Sequence, residues 1–581
     1  MSRRTLLAFG VLLAIFSLTL FVTGGFVTSV LGIRVSARSP QPAAVAAAVA
    51  LGAWLFLAAR AQALCEDLSS VQSWLVRHAP VLVVAIAAIA GAVAIRHGSF
   101  SAASSDPSGY LSQAAMLQNW RLERLEPLAA AAGWPDAVQT VAPLGWRAAR
   151  DPNYQVPTYA VGFPLLMAPL HAVGGLIGAV LIVPVSFALA VWATGVLALR
   201  IAGPLAAILA AVWLATSPIA LLEAMQPMSD VPVTAAWLVC WLILLRRELE
   251  GASFVVLAAG VAAAVAVLIR PNLAPLALLP ACFVIVRSPR PWHDVCAFSA
   301  PVAIAGLVVG YLQWRWFGSP MQSGYGPTSE IYELSGFAPN VRLYARWLLV
   351  SHGPWLLLAP LAFVRPGRHL RWLLVFAAAV VATYLFYDVF DVWTYLRFML
   401  PALAVAMVAV AAMAAWLIAR LPVPARGPAL VIVTLTLMTT NVMTAESLDV
   451  FRFARVQSRA ALAGRYLDAV LPADAVVIAG EQSGSVRYYT NRSIVRWDDL
   501  AAAGGLDQVC ARLDHLGRDI WIALDVWEEE PFRRKFPGSA AGAIDWPPRA
   551  EAGTDMLMRA WRLRDREPFM RDEKVVTDRL R

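Results

Sequence analysis

Long apolar blocks constrain the fold of this chain more than any other feature of its sequence. A helix needs roughly 17–25 residues to cross a hydrocarbon core of ~30 Å, and about thirteen blocks reach or approach that length. They cover residues 6–31, 43–59, 81–95, 176–199, 205–222, 231–245, 254–269, 273–286, 295–312, 347–364, 372–386, 399–418 and 429–443. The sequence therefore predicts an α-helical protein that crosses a membrane many times.

Composition agrees with this prediction and excludes several other classes. Only 15% of the residues are charged and 59% are hydrophobic, whereas about a quarter of an ordinary soluble domain is charged. None of the five cysteines belongs to a CxxC pair, which disfavours a disulfide framework or a zinc ribbon. The apolar run after Arg4 is longer than the 7–15-residue core of a typical signal peptide, so we interpret it as a retained first span.

The placement of arginine predicts how the chain is oriented. The net charge of +9 is concentrated beside apolar blocks, which favours membrane orientation over a nucleic-acid partner. If Arg3 and Arg4 are cytoplasmic, every later inner loop is basic, while Arg34 and Arg38 run against the pattern. The inner-loop residues are Arg60, Arg77, Arg200, Arg246, Arg247, Arg287, Arg290, Arg365, Arg368, Arg371, Arg420 and Arg426.

This orientation leaves three long segments on the outer face, at about 96–173, 314–346 and 445–581. The last has no spanning run. It alternates amphipathic stretches at 451–471 and 500–516 with apolar runs at 475–479 and 520–524, which is typical of a small α/β domain.

An acidic residue stands just beyond the third apolar block, in the string Ser105-Asp106-Pro107-Ser108-Gly109-Tyr110. Proline after an aspartate is a helix-start signal, so Asp106 could simply cap a helix. Alternatively, its carboxylate lies at the outer boundary of the membrane and serves as a general base toward a hydroxyl acceptor. The local sequence leaves both interpretations open.

A second string, Pro157-Thr158-Tyr159-Ala160-Val161-Gly162-Phe163-Pro164-Leu165-Leu166, leads into the fourth block. Together with Asp106 and the following Gly-Tyr-Leu-x-x-Ala pattern, it resembles the GT-C glycosyltransferases. The branch that it looks most like contains the protein O-mannosyltransferases and the aminoarabinose transferases. The resemblance covers about residues 81–420. Two departures are Pro107, where many relatives have a second acidic residue, and two additional spans before the usual first one.

The resemblance implies a GT-C-like fold, and the apolar blocks and the pattern of the tail add about thirteen transmembrane helices and a small extracytoplasmic α/β domain to that prediction. The predicted divisions are two additional helices at 1–62, a catalytic membrane module at 63–444 whose first outer loop covers 97–173, and the C-terminal domain at 445–581. The implied location is a bacterial inner membrane.

The resemblance also implies a reaction, in which a sugar moves with inversion from a polyprenyl-phosphate donor to a hydroxyl acceptor on an envelope glycan, lipid or protein. By position, Asp106 corresponds to the catalytic aspartate. Arg270 and Arg397 would bind the donor phosphate, because a guanidinium can grip phosphate with two hydrogen bonds. The alternative for both arginines is snorkelling toward lipid headgroups.

Further outer-face residues are candidates for substrate contact. Asp230 precedes the sixth block, where it could instead be a helix cap, and Tyr325 lies in a Gly-, Ser- and Tyr-rich loop at 318–332 that could be a simple connector. Tyr110, Tyr159 and Tyr395 lie within the strings that carry the resemblance.

No cofactor is predicted. Asp388 and Asp391 could bind a divalent ion, but a solvated acidic loop explains them as well. The sequence contains neither an HExxH motif nor a P-loop. Two alternatives remain open at this point: a transporter or lipid flippase, and a non-catalytic assembly or sensor protein.

Overall fold

A computed structural model describes residues 3–23, 26–30, 33–37, 39–57, 61–246, 253–363 and 367–581. Arg38, Arg60, Arg247 and Arg365, which were used to predict the orientation, lie outside the described residues.

Helices form most of the described chain. In chain order they are α1 (Arg3–Thr23), α2 (Gln41–Leu57), α3 (Ala61–His97), α4 (Ser105–Gln118), α5 (Pro127–Ala131), α6 (Ala137–Thr140), α7 (Gly162–Ala202), α8 (Pro204–Thr216), α9 (Pro218–Ala224), α10 (Asp230–Leu244), α11 (Ser253–Ile269), α12 (Leu278–Arg287), α13 (Pro291–Phe317), α14 (Thr328–Ile331), α15 (Phe337–His352), α16 (Arg368–Leu385), α17 (Leu400–Ile418), α18 (Val423–Ser447), α19 (Phe453–Val470), α20 (Ser483–Thr490), α21 (Gly505–His515), α22 (Val526–Lys535), α23 (Ala540–Ala543) and α24 (Arg566–Met570).

Short 3₁₀ helices and strands connect them. The 3₁₀ segments are Pro271–Ala277, Leu334–Gly336, Gly353–Phe363, Trp393–Met399, Val450–Arg452, Trp497–Asp499 and Leu563–Asp565. The strands are β1 (Phe26–Val30), β2 (Ile33–Ala37), β3 (Arg124–Leu125), β4 (Trp146–Ala148), β5 (Tyr154–Pro157), β6 (Gln322–Ser323), β7 (Gly326–Pro327), β8 (Val476–Ala479), β9 (Ser493–Arg496), β10 (Ile520–Asp525), β11 (Ala550–Ala552), β12 (Met558–Arg562) and β13 (Asp578–Leu580).

Six of the described helical segments are long and apolar enough to cross a membrane, which makes this a multi-pass membrane protein. They are Glu66–His97, Gly162–Ala202, Pro291–Phe317, Arg368–Leu385, Trp393–Ile418 and Val423–Ser447. Helices α8 and α9 form a seventh span if their 60° bend at Ser217 is counted as a break within one span. Several shorter apolar helices lie among them, and the predicted count of about thirteen spans is not confirmed.

The first predicted span, at 6–31, is wrong over Phe26–Val30, which form a strand. Helix α1 ends at Thr23, and β1 pairs antiparallel with β2 in a hairpin, with Phe26 opposite Ala37. The hairpin sequences are rich in β-branched residues, which favour strands over helices. Apolar length alone did not distinguish such a run from the end of a spanning helix.

The C-terminal tail contains a six-stranded mixed sheet of order β13-β11-β12-β10-β8-β9. The predicted apolar runs at 475–479 and 520–524 form its neighbouring strands β8 and β10, which pair in parallel. Every residue of both strands is buried. Continuous apolar sequence is the pattern expected of strands that are covered on both faces.

The sheet shares its hydrophobic core with residues 96–173, which were predicted to be the first outer segment and keep that name below. Leu128 and Trp134 of that segment pack in the same buried cluster as Ile478 and Ile522 of the sheet. A buried ion pair adds to this contact, because Arg487 of α20 donates to Glu126 at 2.5 Å. Residues far apart in sequence therefore hold the segment that carries Asp106.

Candidate active site

Asp106 lies in the first turn of α4, but it does not cap the helix, because Ser104 occupies the N-cap position. Its carboxylate instead binds two side chains from elsewhere in the chain. Arg397 Nη2 lies 3.0 Å from Oδ2, and the hydroxyl of Tyr159 donates to Oδ1 at 2.8 Å. The Asp106 side chain keeps 24% of its surface exposed, so the carboxylate is held in place and still accessible.

Tyr159 links Asp106 to the rest of α4. Its hydroxyl accepts a hydrogen bond from Ser105 Oγ at 2.7 Å while it donates to Asp106, an assignment that uses its single proton once. Burial and the neighbouring Asp106 raise the pKa of Tyr159 well above its ordinary value, so the phenol remains a donor at neutral pH. The ring of Tyr110 packs against it at 4.5 Å between centroids.

The close approach of Tyr159 to α4 depends on Gly109. A methyl group added at Gly109 would lie 2.2 Å from a ring carbon of Tyr159, which is only 3% exposed and has little room to move. We expect Gly109→Ala to destabilise the protein by about 1–3 kcal/mol through overpacking. The measurement is the thermal unfolding midpoint of the purified protein in detergent.

Gly306→Ala is the matched control for that substitution. Gly306 lies in α13 with open space around the added methyl group, so alanine there should leave the midpoint unchanged or raise it. An unfolding midpoint for Gly109→Ala equal to that of Gly306→Ala would contradict the packing described for Tyr159.

Arg397 and Arg270, predicted as a pair of phosphate ligands, lie over one aromatic ring. Their guanidinium carbons are 5.3 Å and 4.9 Å from the centroid of Phe398. Arg397 also lies 5.1 Å from the ring of Tyr395, which stacks on Phe390 at 3.9 Å. Both arginine side chains are mostly buried and have partners in the protein interior, which excludes simple snorkelling to headgroups.

The two arginines differ in how many protein groups their guanidinium N–H groups already bind. Arg270 Nη2 pairs with Asp230 Oδ1 at 2.6 Å, and Arg270 also donates to Ser229 at 3.3 Å and to Tyr384 at 3.1 Å. Arg397 pairs with the partly exposed Asp106, and its Nε has no hydrogen-bond partner among the described residues. Arg397 is therefore the more available of the two for an anionic ligand.

Asp230 begins α10, where the alternative prediction was a helix cap. Its side chain is fully buried and faces Arg270, so its main contact is the ion pair. The neighbouring Ser229 bridges to Tyr110, whose hydroxyl lies 3.0 Å from Ser229 Oγ. Asp230 and Tyr110 thus join the same cluster as Asp106.

Glu223 is a member of this region that the sequence analysis did not identify. It ends the bent pair α8–α9, is fully buried, and has one carboxylate oxygen without a hydrogen-bond partner among the described residues. Gln226 donates to its other oxygen at 3.2 Å. An ionisable residue inside the apolar string Leu221-Leu222-Glu223-Ala224-Met225 was the available signal, because such residues in a membrane segment usually mark function.

The loop at 318–332 approaches the site from a third direction. Its Tyr325 ring lies 6.1 Å from that of Tyr159 and is 53% exposed. Arg147 of β4 donates to the carbonyl of Gly324 at 3.0 Å, and a methyl group at Gly324 would collide with the backbone of Thr158. Residues 96–173 thus hold the turn between β6 and β7 in place.

Asp388 and Asp391 keep the two interpretations given above, a divalent-ion site or a solvated acidic loop. Among the described residues, no group of three or more His, Cys, Asp or Glu side chains is arranged to hold a metal ion. Asp388 is tied through its backbone to Ile331, as part of the segment next to the loop at 318–332.

Comparison with solved structures places the fold. ArnT from Cupriavidus metallidurans bound to undecaprenyl phosphate aligns over 83% of this chain and 97% of its own, with 13% identity and a TM-score of 0.49. The Archaeoglobus fulgidus oligosaccharyltransferase tethered with an acceptor peptide aligns over 79% and 70%, with 10% identity and a TM-score of 0.50. The archaeal oligosaccharyltransferase AglB from Archaeoglobus fulgidus, in complex with an inhibitory peptide and a dolichol-phosphate, aligns over 77% and 70% at 10% identity and a TM-score of 0.50.

No protein-family model and no curated protein matches the chain. The likeness to the oligosaccharyltransferase structures is one of fold, and it shows that this protein has the fold of the GT-C glycosyltransferases, as the sequence resemblance predicted. The site just described joins residues 96–173 to the helical part of that fold through the contact between Asp106 and Arg397.

Proposed function

We propose that this protein is a membrane glycosyltransferase that moves a sugar from a polyprenyl-phosphate donor to a hydroxyl acceptor. One observation carries the proposal: within a GT-C fold, a partly exposed carboxylate, Asp106, lies 3.0 Å from a guanidinium, Arg397, that has an unused donor. A base for the acceptor and a cation for the departing phosphate are the two groups that this reaction needs. AglB was solved in complex with a dolichol-phosphate, which supports the donor class.

The reaction follows from these two side chains. Asp106 accepts the proton of the acceptor hydroxyl as its oxygen attacks the anomeric carbon, while the bond from that carbon to the phosphate oxygen breaks. Negative charge grows on the leaving polyprenyl phosphate, where the guanidinium of Arg397 stabilises it. Attack from the face opposite the phosphate inverts the anomeric carbon.

The salt bridge between Asp106 and Arg397 has a role in the proposed reaction. Without a donor, Arg397 neutralises Asp106. A bound phosphate would compete for the guanidinium with two hydrogen bonds and leave Asp106 free to act as a base. Arg270 adds positive charge next to Phe398, and Asp230 holds it in position.

The remaining substrate contacts are assigned to tyrosines. Tyr159 orients Asp106, while Tyr325 and Tyr395 offer aromatic surface at the exposed side of the site. We place this site on the outer face of a bacterial inner membrane, together with the C-terminal α/β sheet. A lipid-linked donor suits that face, since its lipid lies in the bilayer while its sugar reaches the outer segments.

The test in cells compares lipid-linked sugars and envelope glycans between a deletion strain and its parent. We expect one polyprenyl-linked sugar to accumulate in the deletion strain, and one glycan modification to disappear. The gene for the unaltered protein should reverse both changes. Unchanged lipid-linked sugars and unchanged glycans in the deletion strain would contradict the proposal.

A further inference from the structure

The backbone just before Asp106 is strained. Ser104 has φ 62° and ψ −168°, a region of backbone conformation that essentially only glycine adopts without cost. It is the N-cap residue of α4, and Asp106 follows two residues later. A serine stays in such a conformation only where its surroundings hold it there.

The C-terminal unit, residues 453–581, supplies the contacts that hold Ser104. Gln482 Oε1 accepts a hydrogen bond from the backbone N–H of Ser104 at 2.9 Å. The carboxylate of Glu481 accepts a second hydrogen bond from Ser104 Oγ. Both polar groups of Ser104 that can donate are therefore bound by two successive residues of the C-terminal unit.

Hydrogen bonds within the C-terminal unit hold the Gln482 side chain in place. Its Nε2 donates to Asp525 Oδ2 at 3.1 Å, which determines which end of the amide faces Ser104. Arg459 binds both oxygens of Asp525, at 2.7 Å and 2.8 Å. All three side chains are buried, so the orientation of Gln482 is set by a network with little freedom to rearrange.

Glu481 is fixed in a similar way. Its backbone N–H donates to Glu528 Oε1 at 2.9 Å, and the other oxygen of Glu528 accepts from the backbone of Asp525 at 2.9 Å. Glu528 belongs to the capping box at the start of α22. The end of β8 and the start of α22 thus present Glu481 and Gln482 together.

Helix α20 adds direct packing between the C-terminal unit and the segment that carries Asp106. A methyl group at Gly484 would lie 2.4 Å from both the carbonyl of Leu144 and the hydroxyl of Ser108, so the helix packs directly on the first outer segment. Tyr489 of the same helix accepts a hydrogen bond from the backbone N–H of Ala102 at 3.0 Å. The segment 102–108 is therefore enclosed by the C-terminal unit on one side.

We propose that Gln482 and Glu481 are positioning residues of the active site: they hold Ser104 in its glycine-like conformation and so place the Asp106 carboxylate against Arg397. The inference deepens the proposed function and rests on it for the effect on transfer. It gives the C-terminal unit a role in assembling the site.

The experiment combines Gln482→Ala with Ser104→Gly in the full-length protein in lipid nanodiscs. Glycine adopts the backbone conformation of Ser104 without strain, so it should depend less on the contacts from Gln482 and Glu481. We expect Gln482→Ala to lower kcat by about tenfold or more, the rate equivalent of the strain that is no longer held, with a smaller change in KM for the donor. We expect Ser104→Gly/Gln482→Ala to recover most of that loss.

The control is Gln508→Ala, which truncates an exposed glutamine of α21 in the same unit and should keep the unaltered rate. A variant that simply failed to fold would not be rescued by Ser104→Gly. Full activity of Gln482→Ala, or a loss that Ser104→Gly leaves unchanged, would overturn the positioning role.

Hydrogen–deuterium exchange separates this inference from the proposed function. Gln482→Ala should speed exchange of the backbone amides of residues 104–106 and 108 by about tenfold relative to Gln508→Ala, whether or not sugar is transferred. If the unaltered protein transfers no sugar but exchange is faster in Gln482→Ala, the proposed transferase activity is refuted. The positioning role of Gln482 and Glu481 is then still supported. Unchanged exchange in Gln482→Ala refutes the positioning role of Gln482.

Discussion

Replacing Asp106 by Asn is expected to lower the rate of sugar transfer by about 10²–10⁴-fold, the usual contribution of a positioned general base. Asparagine keeps the size of the side chain and can still accept the hydrogen bond from Tyr159. It cannot take a proton from the acceptor hydroxyl. The measurement is kcat with a polyprenyl-phosphate sugar, on purified protein in nanodiscs.

Asp136→Asn is the matched control. Asp136 is an exposed carboxylate in the same outer segment, at φ 54°, a left-handed position that asparagine adopts readily. The control should transfer sugar at the unaltered rate and keep the unfolding midpoint of the unaltered protein. An Asp106→Asn protein with normal kcat would remove Asp106 from the mechanism.

The second large effect is expected at Arg397. Arg397→Gln removes the cation that stabilises the departing phosphate, and we expect kcat/KM for the donor to fall by about 10²–10³-fold. Arg397→Lys should recover part of this loss, because it keeps the charge but not the planar fork that binds two phosphate oxygens. Steady-state kinetics at varied donor concentration measure both effects.

Arg420→Gln controls for the loss of an arginine near the same helix. Arg420 follows α17 at the end away from the site, where its guanidinium lies 3.7 Å from the ring of Trp416. It should transfer sugar normally. If Arg397→Gln retained the donor kinetics of Arg420→Gln, the phosphate would have to bind elsewhere.

The sequence could name Asp106, Tyr159 and Arg397 as candidates because they lie in short strings with a recognisable order. Asp106 and Arg397 were identified separately, and their contact could not be, since 291 positions separate them in the chain. Whether Asp106 capped its helix or served as a base was also undecided locally. The ion pair and the bond from Tyr159 depend on tertiary packing, which the periodicity of a single segment does not contain.

Other features escaped prediction for related physical reasons. Gln482 acts through an amide that accepts from Ser104, and glutamine has no distinctive sequence signature for that role. The strain at Ser104 is visible only in backbone angles. The number of spans stays a prediction, because apolar length does not distinguish a complete crossing from a short helix, as α10 and α11 illustrate.

The proposed function requires Arg397 to bind the phosphate of a polyprenyl phosphate next to Asp106. A cryo-EM structure of the protein in a nanodisc with undecaprenyl phosphate tests it most directly. We predict phosphate oxygens within about 2.7–3.2 Å of the Arg397 guanidinium, with Asp106 released from its salt bridge and facing the same cavity. Phosphate density away from Arg397, with the salt bridge to Asp106 intact, would contradict the account.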